Sequence, residues 1–306
     1  MDAFLIYSFA REKDPSFKKE IDFLLASAKV SNVNLTALSF VEAEKYIYAS
    51  YLDCKFIYFY DDDPYLLNLA MNLGIPCYGH PYAAAYFHDL GLFYKKMEDY
   101  GIAHPYYYSF PNLKNESPKD FFTYFSSTIK NAKINYPFYI RKKDDEGYAP
   151  KLCVTPTEFN ENLKKMKDSA WVVEEYIPSP MVFALVVGKR CFGILEEKKG
   201  TLTLSSYDTA FARSQAVKIA NLLRMDSALV AFKVMDGNPL ACGVYPGKYF
   251  RIFAANFGNQ PGEALFTRLS KVVKKFVPYF YVGSLEIKKN RRNAASPSKN
   301  PHSNKE

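Results

Sequence analysis

Residues 228–247 read ALVAFKVMDGNPLACGVYPG, which is the pattern of a β-hairpin. Apolar runs at 228–235 and 240–245 flank the turn Asp236-Gly237-Asn238-Pro239, whose residue types favour β-turns. Further strands are predicted over YPFYIRKK (136–143), PKLCVT (150–155), WVVEEYI (171–177), VFALVV (182–187), CFGILEE (191–197) and TLTLSS (201–206). Because short turns and only a few helices separate these strands, the second half of the chain is predicted to be largely antiparallel α+β.

The first third of the chain alternates strand and helix signals. Strands are predicted over 3–9, 33–40 and 55–60, and amphipathic helices over 16–30 and 41–52. Such alternation predicts a small parallel sheet with helices on its faces. Five more helices are predicted over 89–100, 118–131, 156–167, 209–224 and 262–276.

Composition bounds the class of protein without identifying it. The 306 residues are 48% hydrophobic and 24% charged, which excludes global disorder. The net charge of +8 invites a nucleic-acid interpretation, but residues 287–306 hold six Lys or Arg and one acid and so supply +5 of it. The folded body is near neutral, and no nucleic-acid-binding motif is found, so nucleic acid is not an expected partner. We assign the 17% aromatic content to strand packing.

Cysteine spacing and the N-terminal sequence indicate the compartment. The five cysteines lie more than twenty residues apart, at Cys54, Cys77, Cys153, Cys191 and Cys242. This spacing favours reduced, buried thiols over a zinc site or a redox dithiol. Asp2 lies where a signal peptide needs positive charge, and Gly and Pro interrupt the uncharged stretch 65–87. We therefore expect a cytoplasmic protein with no membrane span.

General catalytic signatures are missing from the sequence. It has no G-x-S-x-G, P-loop, G-x-G-x-x-G or H-E-x-x-H motif. The acidic run DDDP at 61–64 is interpreted as the capped start of a helix. His80, His88 and His104 lie around turns and helix starts and are interpreted as ordinary polar turn residues.

The order of several segments resembles a known family. These segments are LLNLAMNLGIPCYGHPYAAAYFHDLGLFYKKMEDYGIAHP (66–105), YPFYIR (136–141), WVVEEYI (171–177), MVFALVVGKRCFGILEE (181–197) and the hairpin at 228–247. In this order they resemble the ATP-grasp superfamily, in its RimK-like branch of carboxylate–amine ligases. Asp89, Gly101-Ile102 and Pro105 keep the family spacing. The resemblance covers about residues 60–250.

The resemblance implies a fold of mixed α/β and α+β type. A small N-terminal parallel sheet, the pre-ATP-grasp region, would precede two α+β subdomains that enclose a cleft. The expected boundaries are 1–88 for the Rossmann-like N-terminal subdomain, 89–200 for linker helices and a lid-like subdomain, 201–287 for the C-terminal subdomain, and 288–306 for a disordered basic tail.

The metal-ligand positions depart from the family. ATP-grasp ligases move the γ-phosphoryl group of ATP onto a carboxylate, with magnesium held by an Asp, a Glu and an Asn of the last two strands. Aligned through 237–239 without a gap, those positions are Ala231, Gly243 and Tyr245. None is anionic at neutral pH, since a tyrosine hydroxyl ionises near ~10. The resemblance thus implies ATP as a ligand, puts magnesium in doubt and names no metal ligand.

Other positions of the family pattern are changed too. The strand-end lysine is Arg141, the lysine of the Asp-Lys pair is Leu90, and the Asp and Arg of the hairpin fall on Met181 and Phe183. The lid loop at 142–150 reads KKDDEGYAP, with one glycine and three carboxylates that would repel a triphosphate. We interpret this loop as a solvated hairpin turn.

Five residues are the candidates for nucleotide binding. Arg141 and Lys143 would face an anion, and Glu174, Glu175 and Ile177 keep the pattern of the strand whose edge receives adenine. The plainer alternatives are a solvated strand end for the first two and an ordinary core strand with exposed carboxylates for the others. No catalytic residue can be named from the sequence.

Two hypotheses for function follow. The first is a degenerate ATP-grasp protein, a pseudoenzyme that keeps the fold and acts as a nucleotide-binding, ligand-binding or regulatory protein. The second is an active, divergent ATP-dependent ligase whose magnesium ligands have moved to Asp208, Asp236 or Glu263, although turn and capping roles suit those acids better. The expected partners are a nucleotide and a small-molecule or peptide carboxylate.

Overall fold

The computed structural model describes residues 1–50, 53–79, 83–112, 118–143, 150–166 and 169–273. Its strands are β1 (Asp2–Tyr7), β2 (Asn34–Ser39), β3 (Phe56–Phe59), β4 (Cys77–Tyr78), β5 (Tyr107–Phe110), β6 (Phe138–Lys142), β7 (Lys151–Cys153), β8 (Trp171–Glu175), β9 (Val182–Val187), β10 (Arg190–Lys198), β11 (Thr201–Leu204), β12 (Ser227–Met235) and β13 (Asn238–Pro246). Its helices are α1 (Pro15–Val30), α2 (Phe40–Ser50), α3 (Pro64–Asn72), α4 (Ala84–His88), α5 (Leu90–Asp99), α6 (Pro118–Asn131), α7 (Pro156–Met166), α8 (Ala210–Leu222), α9 (Phe250–Phe257) and α10 (Pro261–Val273).

The N-terminal sheet is parallel, as the strand–helix alternation predicts. Its strand order is β2-β1-β3-β4. Its central strands are buried on both faces, because α1 covers one side and α2 and α3 cover the other. The carboxyl ends of β1 and β3 therefore meet at one edge, where Ser8 and Asp61 are joined by a 3.0 Å hydrogen bond from the Ser8 amide.

The second sheet is antiparallel and has the order β5-β8-β6-β7. One face packs against α6 and α7 in an aromatic core, where the rings of Phe110 and Trp171 stack with centroids 4.1 Å apart. The predicted β6–β7 hairpin is present, but the tip of its loop, residues 144–149, lies outside the described residues.

The third sheet is also antiparallel and has the order β11-β10-β9-β12-β13. The quoted hairpin forms its β12–β13 pair, with a register shift between Ala231 and Phe232. One face packs against α5 and α8, and the other shares a core with α1, α9, α10 and the N-terminal sheet. The hydroxyls of Tyr58 and Ser227, 2.8 Å apart, join the two sheets inside that shared core.

Some predicted elements differ from the structure. Helix α9 was not predicted; its sequence FRIFAANF is only eight residues long, and it buries Phe250 and Phe253. The predicted helix over 262–276 is α10, described to Val273. The predicted basic tail over 288–306 lies outside the described residues. None of the described helices is long and apolar enough to cross a bilayer, and the five cysteines are free thiols, four of them buried.

Glu20 of α1 holds the start of α9. Its carboxylate oxygens accept hydrogen bonds from the backbone amides of Phe250 at 2.6 Å and Arg251 at 3.0 Å. A carboxylate at a helix N-terminus satisfies amides that have no partner within the helix. Burial nevertheless raises the pKa of Glu20 to about 6, against the opposing effect of these amides and of Arg251.

We predict that Glu20 makes stability depend on pH. Because its pKa rises from 4.5 unfolded to about 6 folded, its contribution is full below pH 4.5 and is lost as pH rises through 6. That loss is about 2 kcal/mol. Glu20→Gln should flatten the pH profile of the unfolding free energy between these limits, measured by urea unfolding. Asp22→Asn, which removes an exposed carboxylate of the same helix, is the control. An unchanged profile in Glu20→Gln would contradict the assignment.

Candidate functional site

The register of the second sheet turns a polar face toward the third sheet. Tyr139 pairs with Glu174, and Arg141 pairs with Val172, so these four side chains share one face. The alternate residues point into the aromatic core with α6 and α7. Alternation along two strands thus places Arg141 and Glu174 at the cleft between the sheets.

Glu174 is the buried acid of this cleft. Its two carboxylate oxygens accept hydrogen bonds from the Tyr94 hydroxyl and from Nη2 of Arg141, each at 2.8 Å. Burial disfavours the charge of Arg141, but the neighbouring Glu174 outweighs it and keeps the pKa of the guanidinium above its usual value. Burial, reinforced by Glu174, raises the pKa of Tyr94 well above its usual value. Glu174 is therefore held by two partners, the Arg141 guanidinium and the Tyr94 hydroxyl.

The other three predicted residues lie around this pair. Nζ of Lys143 is 3.1 Å from the carboxylate of Asp89, so its charge is matched by an acid of the protein. The Glu175 amide donates a 2.8 Å hydrogen bond to the Tyr106 carbonyl, and the Glu175 carboxylate accepts one of 3.2 Å from the Tyr106 amide. Ile177 is buried. β8 is paired on both sides, with β5 and with β6, through Glu174 and Glu175.

Ser179 anchors the segment between β8 and β9 to the third sheet. Its carbonyl accepts a 2.6 Å hydrogen bond from Nζ of Lys233, and its hydroxyl accepts one of 2.9 Å from the amide of Val234. Sequence reasoning missed Lys233, because it is one polar residue in an apolar strand and its partner lies 54 residues away. The segment between β8 and β9 is thus held against the third sheet.

The three family metal positions meet on one face of the third sheet. Ala231 pairs directly with Gly243, and Tyr245 lies two residues further on the same strand face. A Cβ at position 243 would lie 3.5 Å from the Tyr245 hydroxyl, so this tyrosine lies against Gly243. Burial raises the pKa of Tyr245, with Arg141 opposing it. These residues do not fit magnesium, which prefers several anionic or carbonyl oxygen ligands.

The three acids considered as replacements lie elsewhere. Asp208 makes two hydrogen bonds of 2.5 Å to Arg213. Asp236 is an exposed turn residue, and Glu263 lies in the first turn of α10. Among the described residues, no three His, Cys, Asp or Glu side chains form a group able to hold a metal ion. The structure thus brings none of these acids to the cleft.

A cavity of about 270 Å³ lies where the three sheets meet. Its lining includes four cations and two acids, namely Arg11, Arg141, Lys142, Lys248, Asp61 and Asp62, together with His88 and residues 243–246 of β13. We call this space the cationic cavity. Of the five predicted binding residues, it includes Arg141.

The acidic run before α3 both caps the helix and binds basic side chains. Asp63 caps α3 by accepting the amide of Leu66 at 2.9 Å, which confirms the capping interpretation for that residue. Asp61 instead accepts hydrogen bonds from Arg11 at 2.5 and 2.6 Å, and its carboxylate is 3.4 Å from Nζ of Lys248. Burial opposes its ionisation, but Arg11 and Lys248 outweigh burial and lower the pKa of Asp61. Capping is therefore the wrong explanation for Asp61.

His88 and Asp62 form a second pair at the cavity. Nε2 of His88 is 2.7 Å from the Asp62 carboxylate, and both side chains are partly buried. The interpretation of His88 as an ordinary turn residue is therefore wrong. The separation of 26 residues between the partners hides the pair from a reading of sequence motifs.

A second, larger cavity adjoins the first. It measures about 710 Å³ and lies between α1, β11 and the start of α9, so we call it the α9 cavity. Arg11, Tyr245 and Lys248 line both spaces. Tyr249, which has a left-handed backbone with φ of 62°, and Arg251 line its far side.

Solved structures with this fold are ATP-grasp proteins. D-Alanine–D-alanine ligase from Bacillus anthracis complexed with ATP matches with a TM-score of 0.69 and 14% identity over 90% of this chain and 99% of that one. A RimK-domain ATP-grasp protein from Sphaerobacter thermophilus matches with 0.67 and 16% over 87% and 98%. The ATP-grasp ligase PsnB complexed with a minimal precursor, Mg and ADP matches with 0.62 and 11% over 89% and 98%. No protein-family model and no curated protein matches the sequence.

The chain therefore has the ATP-grasp fold, which confirms the predicted resemblance at the level of architecture. The mixed arrangement of a small parallel sheet and two antiparallel sheets is shared with these structures. At these identities the likeness concerns the fold, and function has to be argued from the site.

We predict strong energetic coupling between Arg141 and Glu174. Arg141→Met leaves a buried carboxylate with one partner fewer and should lower the unfolding free energy by about 3 kcal/mol. Adding Glu174→Gln should recover much of that loss, because the uncompensated charge is then gone. Urea unfolding of both single variants and the double variant measures the coupling. Glu175→Gln in the Arg141→Met background is the matched control, and additive effects of Arg141→Met and Glu174→Gln would contradict the coupling.

Proposed function

We propose that this chain is a nucleotide-binding ATP-grasp protein that has lost the ligase reaction. One observation carries the proposal. The three positions at which the resemblance places magnesium ligands, Ala231, Gly243 and Tyr245, lie together on one strand face and offer no carboxylate. Without a metal between protein and phosphates, the phosphoryl group lacks the charge neutralisation that its transfer requires.

The charge of the cleft supports retained binding of an anionic ligand. Arg141 stands at the strand-end position that the resemblance assigns to a phosphate lysine, and it lines the cationic cavity. Its guanidinium stays charged, and arginine suits phosphate because it donates in a planar fork. The volume of about 270 Å³ suits a phosphate chain rather than a whole nucleotide. The nucleoside would then extend toward residues 176–181.

A carboxylate ligand, the second partner that the resemblance implies, is proposed for the α9 cavity. Its volume of about 710 Å³ lies in the range of small-molecule sites. Nε of Arg251 is buried and finds no hydrogen-bond acceptor within the described part of the chain. A buried donor without an acceptor suits a ligand carboxylate or carbonyl.

We place the protein in the cytoplasm, a proposal that its free thiols support.

The alternative, an active divergent ligase, has less support. It needs relocated magnesium ligands, yet Asp208 is held by Arg213, Asp236 lies in an exposed turn, and Glu263 lies on α10. Asp61 and Asp62 do reach the cavity, but Arg11 and His88 already pair with them. Measured ligase turnover would favour this alternative.

We predict nucleotide binding without turnover. Isothermal titration of the full chain with ADP and ATP should give saturable binding, and Arg141→Ala should weaken it at least about tenfold by removing charged hydrogen bonds. Arg190→Ala, which removes an exposed cation of β10, is the matched control. Circular dichroism checks that each variant is folded.

The same protein should release no ADP above the blank when mixed with ATP, an amine and a carboxylate. ADP release that Arg141→Ala abolishes would show an active ligase and contradict the loss of chemistry. Absence of nucleotide binding would contradict the other half of the proposal.

A further inference from the structure

The cationic cavity carries more positive than negative charge. Four basic side chains line it, Arg11, Arg141, Lys142 and Lys248, against the two carboxylates of Asp61 and Asp62. They come from separate parts of the chain, after β1, on β6 and after β13. A concave site lined mainly by one sign of charge attracts ligands of the other sign. The cavity is therefore built for an anion.

Its two carboxylates are already engaged by the protein. The Asp61 carboxylate accepts hydrogen bonds from the Ser8 amide at 3.0 Å and from Nη2 of Arg11 at 2.6 Å. Nζ of Lys248 lies 3.4 Å from the same carboxylate. Asp62 is 2.7 Å from Nε2 of His88. Binding of magnesium to either acid would displace these partners and bring a divalent cation beside fixed positive charges.

Arg141 has one buried donor without a hydrogen-bond partner among the described residues. Its Nη2 holds Glu174 at 2.8 Å, whereas its buried Nε makes no hydrogen bond within the described residues. A buried donor without an acceptor is unfavourable until a partner binds. Lys248 lines both the cationic cavity and the α9 cavity, and its Nζ lies 3.4 Å from the Asp61 carboxylate.

We propose that the cationic cavity binds the phosphates of a nucleoside polyphosphate directly, through Arg141 and Lys248, in place of a divalent cation. The inference rests on the proposed function, and it adds that magnesium is dispensable for binding. Because MgATP carries less negative charge than free ATP, magnesium weakens the interaction with these cations. Inorganic tripolyphosphate, which lacks the nucleoside, should bind in the same place.

The test is isothermal titration of the full chain with ATP and, separately, with tripolyphosphate, in EDTA and in excess MgCl₂. We expect both probes to bind in EDTA at least as tightly as in magnesium. Lys248→Met should weaken both in EDTA by about tenfold, since a charged hydrogen bond is lost. Lys189→Met, an exposed lysine of the β9–β10 turn, is the matched control and should bind like the unmodified chain.

The outcomes separate this inference from the proposed function. Tighter binding of ATP in magnesium overturns the inference while leaving nucleotide binding intact. Binding of tripolyphosphate but not ATP supports the cavity and overturns the nucleotide proposal. No binding of either probe overturns both, and equal binding by Lys248→Met overturns the assignment of Lys248.

Discussion

The carboxylate of Glu174 is the constraint on which the site depends. It lies in the central strand of the second sheet and binds the hydroxyl of Tyr94 on α5 and the guanidinium of Arg141 on β6. A buried charge is tolerated only when its partners are fixed, so this acid ties a helix of the third sheet's core to the second sheet. The same tie sets where Arg141 lies beside the cationic cavity.

Around that tie, the chain has the architecture of the ATP-grasp fold. The positions expected to attract magnesium are apolar or neutral, and the adjoining space is lined by four basic side chains against two carboxylates. The lack of a carboxylate at these positions and the excess of cations nearby both support our proposal of an anionic ligand that binds without a metal. A fold can keep its cleft while the chemistry in that cleft changes.

The elements were largely predictable because they depend on local patterns. Alternation of strands and helices gave the parallel sheet, and Asp63 before Pro64 gave the start of α3. Arg141 was predicted through the resemblance, and register explains why it shares a face with Glu174. The pairs of Arg11 with Asp61 and of His88 with Asp62 join residues 50 and 26 positions apart, which no local pattern reveals. Lys248 was hidden for a different reason, since it lies in a loop beyond β13 and matches no motif.

A crystal structure grown with a non-hydrolysable ATP analogue and Mn²⁺, with anomalous data collected at the manganese edge, tests the central claim most directly. We predict phosphate density in the cationic cavity, in contact with Arg141 and Lys248, and no anomalous peak beside Ala231, Gly243 or Tyr245. A manganese peak that bridges the phosphates to Asp61, Asp62 or any other acid of the cleft would contradict it.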